Sequence, residues 1–126
     1  MSARILIVDD NATNLKLATE VLAFEGHAVS QAADADEALM LLQSLRPVLI
    51  LMDIALPGLD GLELTRRLKA TAEFAGTPIV ALSAFAMKGD QEKAFAAGCD
   101  GYITKPIDTR RFPAQVEAFL ASGRPA

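Results

Sequence analysis

The chain has one cysteine, Cys99, one histidine, His27, one tyrosine, Tyr102, and no tryptophan. A lone cysteine excludes an internal disulfide and any metal site of the cysteine type. A buried, inert thiol is the default for Cys99, and His27 is read as a surface residue that ligates nothing. No apolar run approaches the roughly 18 residues that a membrane span requires, and the N-terminus lacks a basic region followed by an apolar segment and a cleavage site. The expectation is a soluble, cytoplasmic protein with no membrane partner. Positive charge is also in short supply, with 12 Lys and Arg against 16 Asp and Glu and a net charge of -4. The pairs Arg66-Arg67 and Arg110-Arg111 are not joined into a basic or aromatic stripe, so nucleic acid is not expected as a partner.

What the chain does have is apolar residues. Of its 126 residues 52% are hydrophobic and 22% charged, a globular balance at a length typical of one domain. The abundance of Leu and Ala predicts much helix. Residues 4–8 (RILIV) form a short β-rich run that ends in Asp9-Asp10, and residues 11–14 offer several N-caps for a helix carrying Leu15, Ala18, Val21 and Leu22. Gly26 stands where that helix should end. Residues 27–31 give a weaker strand. Asp34 or Asp36 then caps a second helix with Ala38, Leu39, Leu41, Leu42 and Leu45, closed by Pro47.

Residues 47–53 (PVLILMD) are a continuous apolar run ending in a carboxylate, the pattern of a strand buried on both faces of a parallel sheet. After Pro57-Gly58 and Gly61, a third helix carries Leu62, Leu64 and Leu68 and ends before Gly76-Thr77-Pro78. A fourth strand, residues 79–82, ends at Ser83. The fourth helix, from about Met87 to Ala97, has only a thin apolar stripe of Ala94, Phe95 and small alanines before Gly98. Residues 100–104 make a short fifth strand leading to Lys105-Pro106. The last helix carries Phe112, Val116, Phe119 and Leu120, and tolerates Pro113 if it begins near Thr109.

Five strands alternating with five helices predict an α/β fold, a five-stranded parallel sheet with helices on both faces. In the flavodoxin-like order 2-1-3-4-5 the order reverses between the first and third strands, and ligands bind in the crevice beyond the strand ends there. Asp9, Asp10 and Asp53 would converge at that point. Three carboxylates about 5 Å apart repel by roughly 3 kcal/mol per pair at an effective dielectric of 20, which calls for a compensating cation. Oxygen ligands without nearby His or Cys select Mg²⁺, or Mn²⁺, over zinc. Ser83 and Lys105, at the ends of the fourth and fifth strands, would face the same crevice, one as a donor and one as a point charge for phosphoryl oxygens. A carboxylate nucleophile, a bridging metal and an opposing cation are the parts of an aspartyl-phosphate site. Taken singly, each residue has a plainer reading: Asp9 and Asp10 as caps of the first helix, Ser83 as a cap, Lys105 as a solvated lysine, Tyr102 as half-buried core, and Phe85 as either core or a gate. One shared site accounts for four strand ends at once.

Val8-Asp9-Asp10-Asn11, Leu51-Met52-Asp53-Ile54 with Leu56-Pro57 and Asp60-Gly61, Ala81-Leu82-Ser83-Ala84, and Gly101-Tyr102-Ile103-Thr104-Lys105-Pro106 together resemble the receiver domain of two-component response regulators. The resemblance spans nearly the whole chain, with residues 3–121 as one receiver domain and 122–126 as a short tail. The segment from Ser83 to Asp90 is most similar to the DivK type of stand-alone cell-cycle receiver. The resemblance implies that Asp53 accepts a phosphoryl group from a sensor histidine kinase or a histidine phosphotransfer protein. It further implies Mg²⁺ held by Asp10, Asp53 and the backbone carbonyl of Ala55, with Asp9 acting through water. Ser83 and Lys105 would bind the phosphoryl oxygens, and the Lys105-Pro106 peptide would be cis. Ser83 and Tyr102 would move on phosphorylation, remodelling the face made by the fourth helix, fifth strand and fifth helix, through which a protein partner is bound. Ala55 is smaller than the residue often found there, which leaves Phe85 to govern access of water. Ser rather than Thr at 83 implies a slightly looser switch.

The protein is then expected to be a non-enzymatic phosphoacceptor, monomeric or weakly dimeric, that slowly loses its own phosphate. Other readings remain: a receiver cut from a hybrid kinase, a receiver that docks without phosphate, a Mg²⁺-dependent aspartyl phosphatase, or a mononucleotide binder. Phosphatases of the haloacid dehalogenase type place the nucleophile in Asp-x-Asp after their first strand, whereas here Asp9-Asp10 are adjacent and the best nucleophile follows the third. An acidic crevice also disfavours a mononucleotide.

Overall fold

Side chains alternate between the two faces of a strand, so a strand buried on both faces needs apolar residues at odd and even positions alike. The computed structural model, which describes residues 3–54, 61–83 and 88–122, shows this in β1 (Arg4–Val8), β3 (Leu49–Asp53) and β4 (Ile79–Ser83). Leu6, Val8, Ile50, Met52, Ile79 and Ala81 point to one side, against helices α2 (Ala35–Leu41), α3 (Gly61–Lys69) and α4 (Lys88–Ala97). Ile5, Ile7, Leu49, Leu51, Val80 and Leu82 point to the other, where α1 (Ala12–Phe24) and α5 (Phe112–Ser122) cover them with Leu15, Ala18, Leu22, Phe112 and Val116. With β2 (Ala28–Ala32) and β5 (Gly101–Thr104) at the edges, the sheet is parallel throughout, in the expected order β2-β1-β3-β4-β5.

The register aligns the ends that matter. Val8 pairs with Met52, Asp53 with Leu82, and Ser83 with Thr104. Asp9, one residue beyond β1, therefore lies beside Asp53, the last residue of β3. α1 is started by Asn11, whose side chain accepts from the Asn14 N–H at 3.0 Å. That leaves Asp9 for other partners. Asp34, rather than Asp36, caps α2 by accepting from the Glu37 N–H. α1 and α4 are followed by Gly26 and Gly98, at φ +93° and +110°, the left-handed conformation that a residue with a Cβ resists.

Several boundaries and two environments depart from the sequence expectations. β2 begins at Ala28 and runs one residue further than expected, because its partner in register is β1 from Arg4 onward. α2 stops at Leu41 short of Leu45, and the Arg46 guanidinium donates to the carbonyls of Leu42 and Leu45 beyond its end. α5 starts at Phe112, not Thr109, with Pro113 in its first turn, where no intrahelical N–H is required. The expected start of α4 at Met87 lies outside the described residues. Phe95 does not belong to the apolar stripe of α4: Ala94 and Ala97 are buried, whereas Phe95, 100° around the helix from Ala94, is 51% exposed. His27 is not a surface residue, since its side chain is only 1% exposed. It is buried because both ring nitrogens find partners there, Nδ1 accepting from the Ala3 N–H at 3.1 Å and Nε2 lying 3.0 Å from Glu117 Oε1 on α5.

Gly61 sets how closely α3 approaches the end of β3. A Cβ there would overlap the Asp53 carbonyl oxygen and come within 2.8 Å of Ile54 Cα and 2.9 Å of the Asp53 carbonyl carbon, all backbone atoms that cannot swing aside. Gly61→Ala is expected to lower stability by about 2 kcal/mol by forcing the two backbones apart. Urea denaturation checks this, and a variant as stable as the parent would contradict it.

Candidate active site: an acidic crevice with one lysine

Asp9, Asp10 and Asp53 each direct a carboxylate oxygen to one spot, all lying within 4.8 Å of one another. Asp9 and Asp53 are buried and Asp10 is exposed at the rim. Lys105 reaches into this cluster from the end of β5. Its Nζ donates to Asp9 Oδ2 at 2.7 Å and to Asp53 Oδ2 at 3.2 Å. The lysine is 12% exposed and the two carboxylates 1% and 6%, so these pairs sit largely out of water. The second Asp9 oxygen accepts from the Asn11 N–H at 2.9 Å. The backbone fixes Lys105 as well: its N–H donates to the Ser83 carbonyl at 2.7 Å, and the Lys105-Pro106 peptide is cis as expected.

Ser83 is 2% exposed at the end of β4, beside the strand that carries Asp53. Tyr102 is half-buried on β5 and packs against the α2, α3 and α4 side of the core. The structure thus brings together Asp9, Asp10, Asp53 and Lys105, with Ser83 on the adjoining strand end. Ala55 and Phe85 fall outside the described residues. Two contributions were not recognised in the sequence. Gly61 lets α3 close on Asp53, and Asn11, one of the expected cap candidates, also holds Asp9. The Asp9-Asp10-Asn11 string ahead of a helix was the available signal for Asn11, but string alone does not say which of the three caps.

The electrostatics follow from burial and pairing. Burial raises the Asp9 carboxyl above its ordinary value, Asp53 adds to the rise, and Lys105 and the Asn11 N–H oppose it. For Lys105, burial alone would depress the ammonium, but its hydrogen bond to Asp9 and the charges of Asp53 and Asp9 more than offset this, and the net shift is upward. The lysine is therefore charged at neutral pH, and among the described residues one cation faces three carboxylates. This all-oxygen donor set, with no His or Cys in it, suits a hard divalent cation such as Mg²⁺, which takes one or two carboxylates and keeps other positions for water or phosphate.

Sheet order and crevice define a class, and comparison with known proteins places the chain in it. Residues 5–117 match the response regulator receiver domain. The chain belongs to the receiver family of two-component response regulators. Within the family it is 42% identical over 120 residues to the polar-differentiation response regulator DivK of Brucella anthropi, covering 95% of this chain and 98% of that one. Among solved structures, the chemotaxis response regulator CheY4 of Vibrio cholerae superposes with a TM-score of 0.88 at 25% identity, over 94% of this chain and 98% of that one. The receiver domain of the sensor histidine kinase PA1611 of Pseudomonas aeruginosa, with a magnesium ion coordinated in its active-site cleft, gives 0.87 at 32% identity over 96% and 99%.

Removing Lys105 isolates the electrostatic role of the pair. Its raised ammonium contributes stability that is fully present below its ordinary pKa and is lost only at alkaline pH. In Lys105→Ala the Asp9 carboxyl, already raised by burial, loses the partner that opposes the rise, so the cost appears as pH climbs through the carboxylate range. In EDTA, the variant is expected to be about 3 kcal/mol less stable than the parent at pH 7, with a deficit that shrinks toward pH 4. Urea titrations at both pH values check this, and a pH-independent deficit would contradict it.

Proposed function

We propose that Asp53 is the phosphoacceptor of a phosphorelay, taking a phosphoryl group from the phosphohistidine of a sensor kinase or phosphotransfer protein. The observation that carries this is the Asp53 carboxylate at the end of β3, 3.2 Å from the Lys105 ammonium and within 4.8 Å of Asp9 and Asp10. An Asp53 oxygen attacks phosphorus, the P–N bond to the donor imidazole breaks, and the electron pair leaves with the imidazole. An ionised carboxylate needs no base to remove a proton first, and no base is assigned.

Lys105 and Ser83 bind the phosphoryl oxygens in this reading, the lysine turning from its carboxylate partners toward the new dianion. Asp10, Asp53 and the Ala55 carbonyl would hold Mg²⁺, with Asp9 reaching it through water. When bound, the cation neutralises charge on the transferring group. Output follows as a population shift. The phosphoryl group favours the arrangement of Ser83 that contacts it, Tyr102 moves in response, and the face formed by α4, β5 and α5 changes its affinity for a protein partner. The 42% identity to DivK over 98% of that protein supports a DivK-like role.

Incubation with acetyl phosphate and Mg²⁺, read by intact mass at mildly acidic pH, tests the assignment. One added phosphoryl group is expected on the parent, and none on Asp53→Asn or in EDTA. Addition to Asp53→Asn at the parent's level would move the acceptor elsewhere.

A further inference from the structure

His27 lies at the opposite end of the sheet from the acidic crevice. It precedes β2, whereas Asp9 and Asp53 follow the far ends of β1 and β3. The buried ring joins three pieces of the fold. Nδ1 meets the Ala3 N–H, just before β1, at 3.1 Å, and Nε2 meets Glu117 Oε1, on α5, at 3.0 Å. The ring's own backbone N–H donates to the Leu22 carbonyl near the end of α1, and Ala28 N–H donates to the Ala3 carbonyl. A backbone amide can only donate, so Nδ1 must carry the lone pair. The proton of the neutral ring is then on Nε2, donated to Glu117.

We propose that His27 is a proton-operated latch between the start of β1 and α5. In the neutral ring both bonds are made, and the residue bridges the two elements. A second proton, taken from solvent onto Nδ1, sets two N–H donors against each other across 3.1 Å and ends the bond from Ala3. The same proton turns the Nε2 contact into a charge-assisted bond to the Glu117 carboxylate, which holds α5 more firmly. Acidification thus releases the start of β1 while tightening α5.

The charges around the ring come from each neighbouring element. α5 supplies Glu117, with its side chain 50% exposed and so open to solvent. α1 and the turn after it supply Glu20 and Glu25, which line the same groove as Glu117 beside Arg110. β1 supplies the exposed Arg4, and β2 (AVSQA) has no ionisable group. The latch is separate from the phosphoacceptor reading, and its test involves neither metal nor phosphate.

The experiment is NMR of the full chain in EDTA, following the imidazole nitrogens and the hydrogen exchange of the Ala3 amide from about pH 8 to pH 5. The expected result at the alkaline end is the Nε2–H tautomer and a protected Ala3 amide. As the ring takes its second proton, Ala3 protection should fall about tenfold with the same midpoint, and Glu117→Gln should move that midpoint to lower pH. Any of three results overturns the proposal: an Nδ1–H tautomer at pH 8, Ala3 protection unchanged while the ring titrates, or a ring that stays neutral until the protein unfolds.

Discussion

The contact on which the crevice depends is Lys105 shared between two buried carboxylates, at 2.7 Å to Asp9 and 3.2 Å to Asp53. Without it, Asp9 and Asp53 would repel by about 3 kcal/mol at an effective dielectric of 20, with little water to screen them. Much of the local architecture serves this pairing. The β1–β3 register sets the two acids side by side, the Ser83 carbonyl anchors the Lys105 backbone, and Asn11 holds the remaining Asp9 oxygen. Yet one lysine does not balance three acids. The remaining negative charge is a standing affinity for a divalent cation, and it links the stability of the fold to the chemistry proposed for it.

Both core layers converge on the same place. β3 is apolar at every position before Asp53, so its side chains anchor in the α1/α5 layer and in the α2/α3/α4 layer alike, and the carboxylate extends from a strand that has little freedom to move. Ser83 ends β4 at the crevice, while Tyr102 is half-buried on an edge strand beside α4.

Much of this was legible in the residues, for identifiable reasons. The apolar run of residues 47–53 read as a strand buried on both faces, which holds for β3 from Leu49 although Val48 before it is half exposed, and the alternation of strands and helices limited the topology to a few parallel arrangements. The ends of those strands then named Asp9, Asp53, Ser83 and Lys105. What escaped were features decided by contacts distant in sequence. Nothing next to His27 announces that Ala3 and Glu117 will meet its two nitrogens, so a polar residue beside a glycine read as surface. Gly61 read only as the residue before the third helix, although its role is to let α3 pass against the Asp53 backbone. Phe95 seemed a natural core residue on a helix poor in large apolar side chains, yet the buried stripe of α4 runs through Ala94 and Ala97.

Thermal unfolding with and without Mg²⁺ shows whether the unbalanced cluster of carboxylates takes up a divalent cation. At about one hundred times the dissociation constant the ion should add about 2.7 kcal/mol, which raises the Tm by about 10 °C for a domain of this size. Asp10→Asn should lose most of that gain while unfolding no lower than the parent in EDTA, because it removes repulsion rather than a bond. A Tm that ignores Mg²⁺, or a Mg²⁺ gain undiminished in Asp10→Asn, would contradict the account.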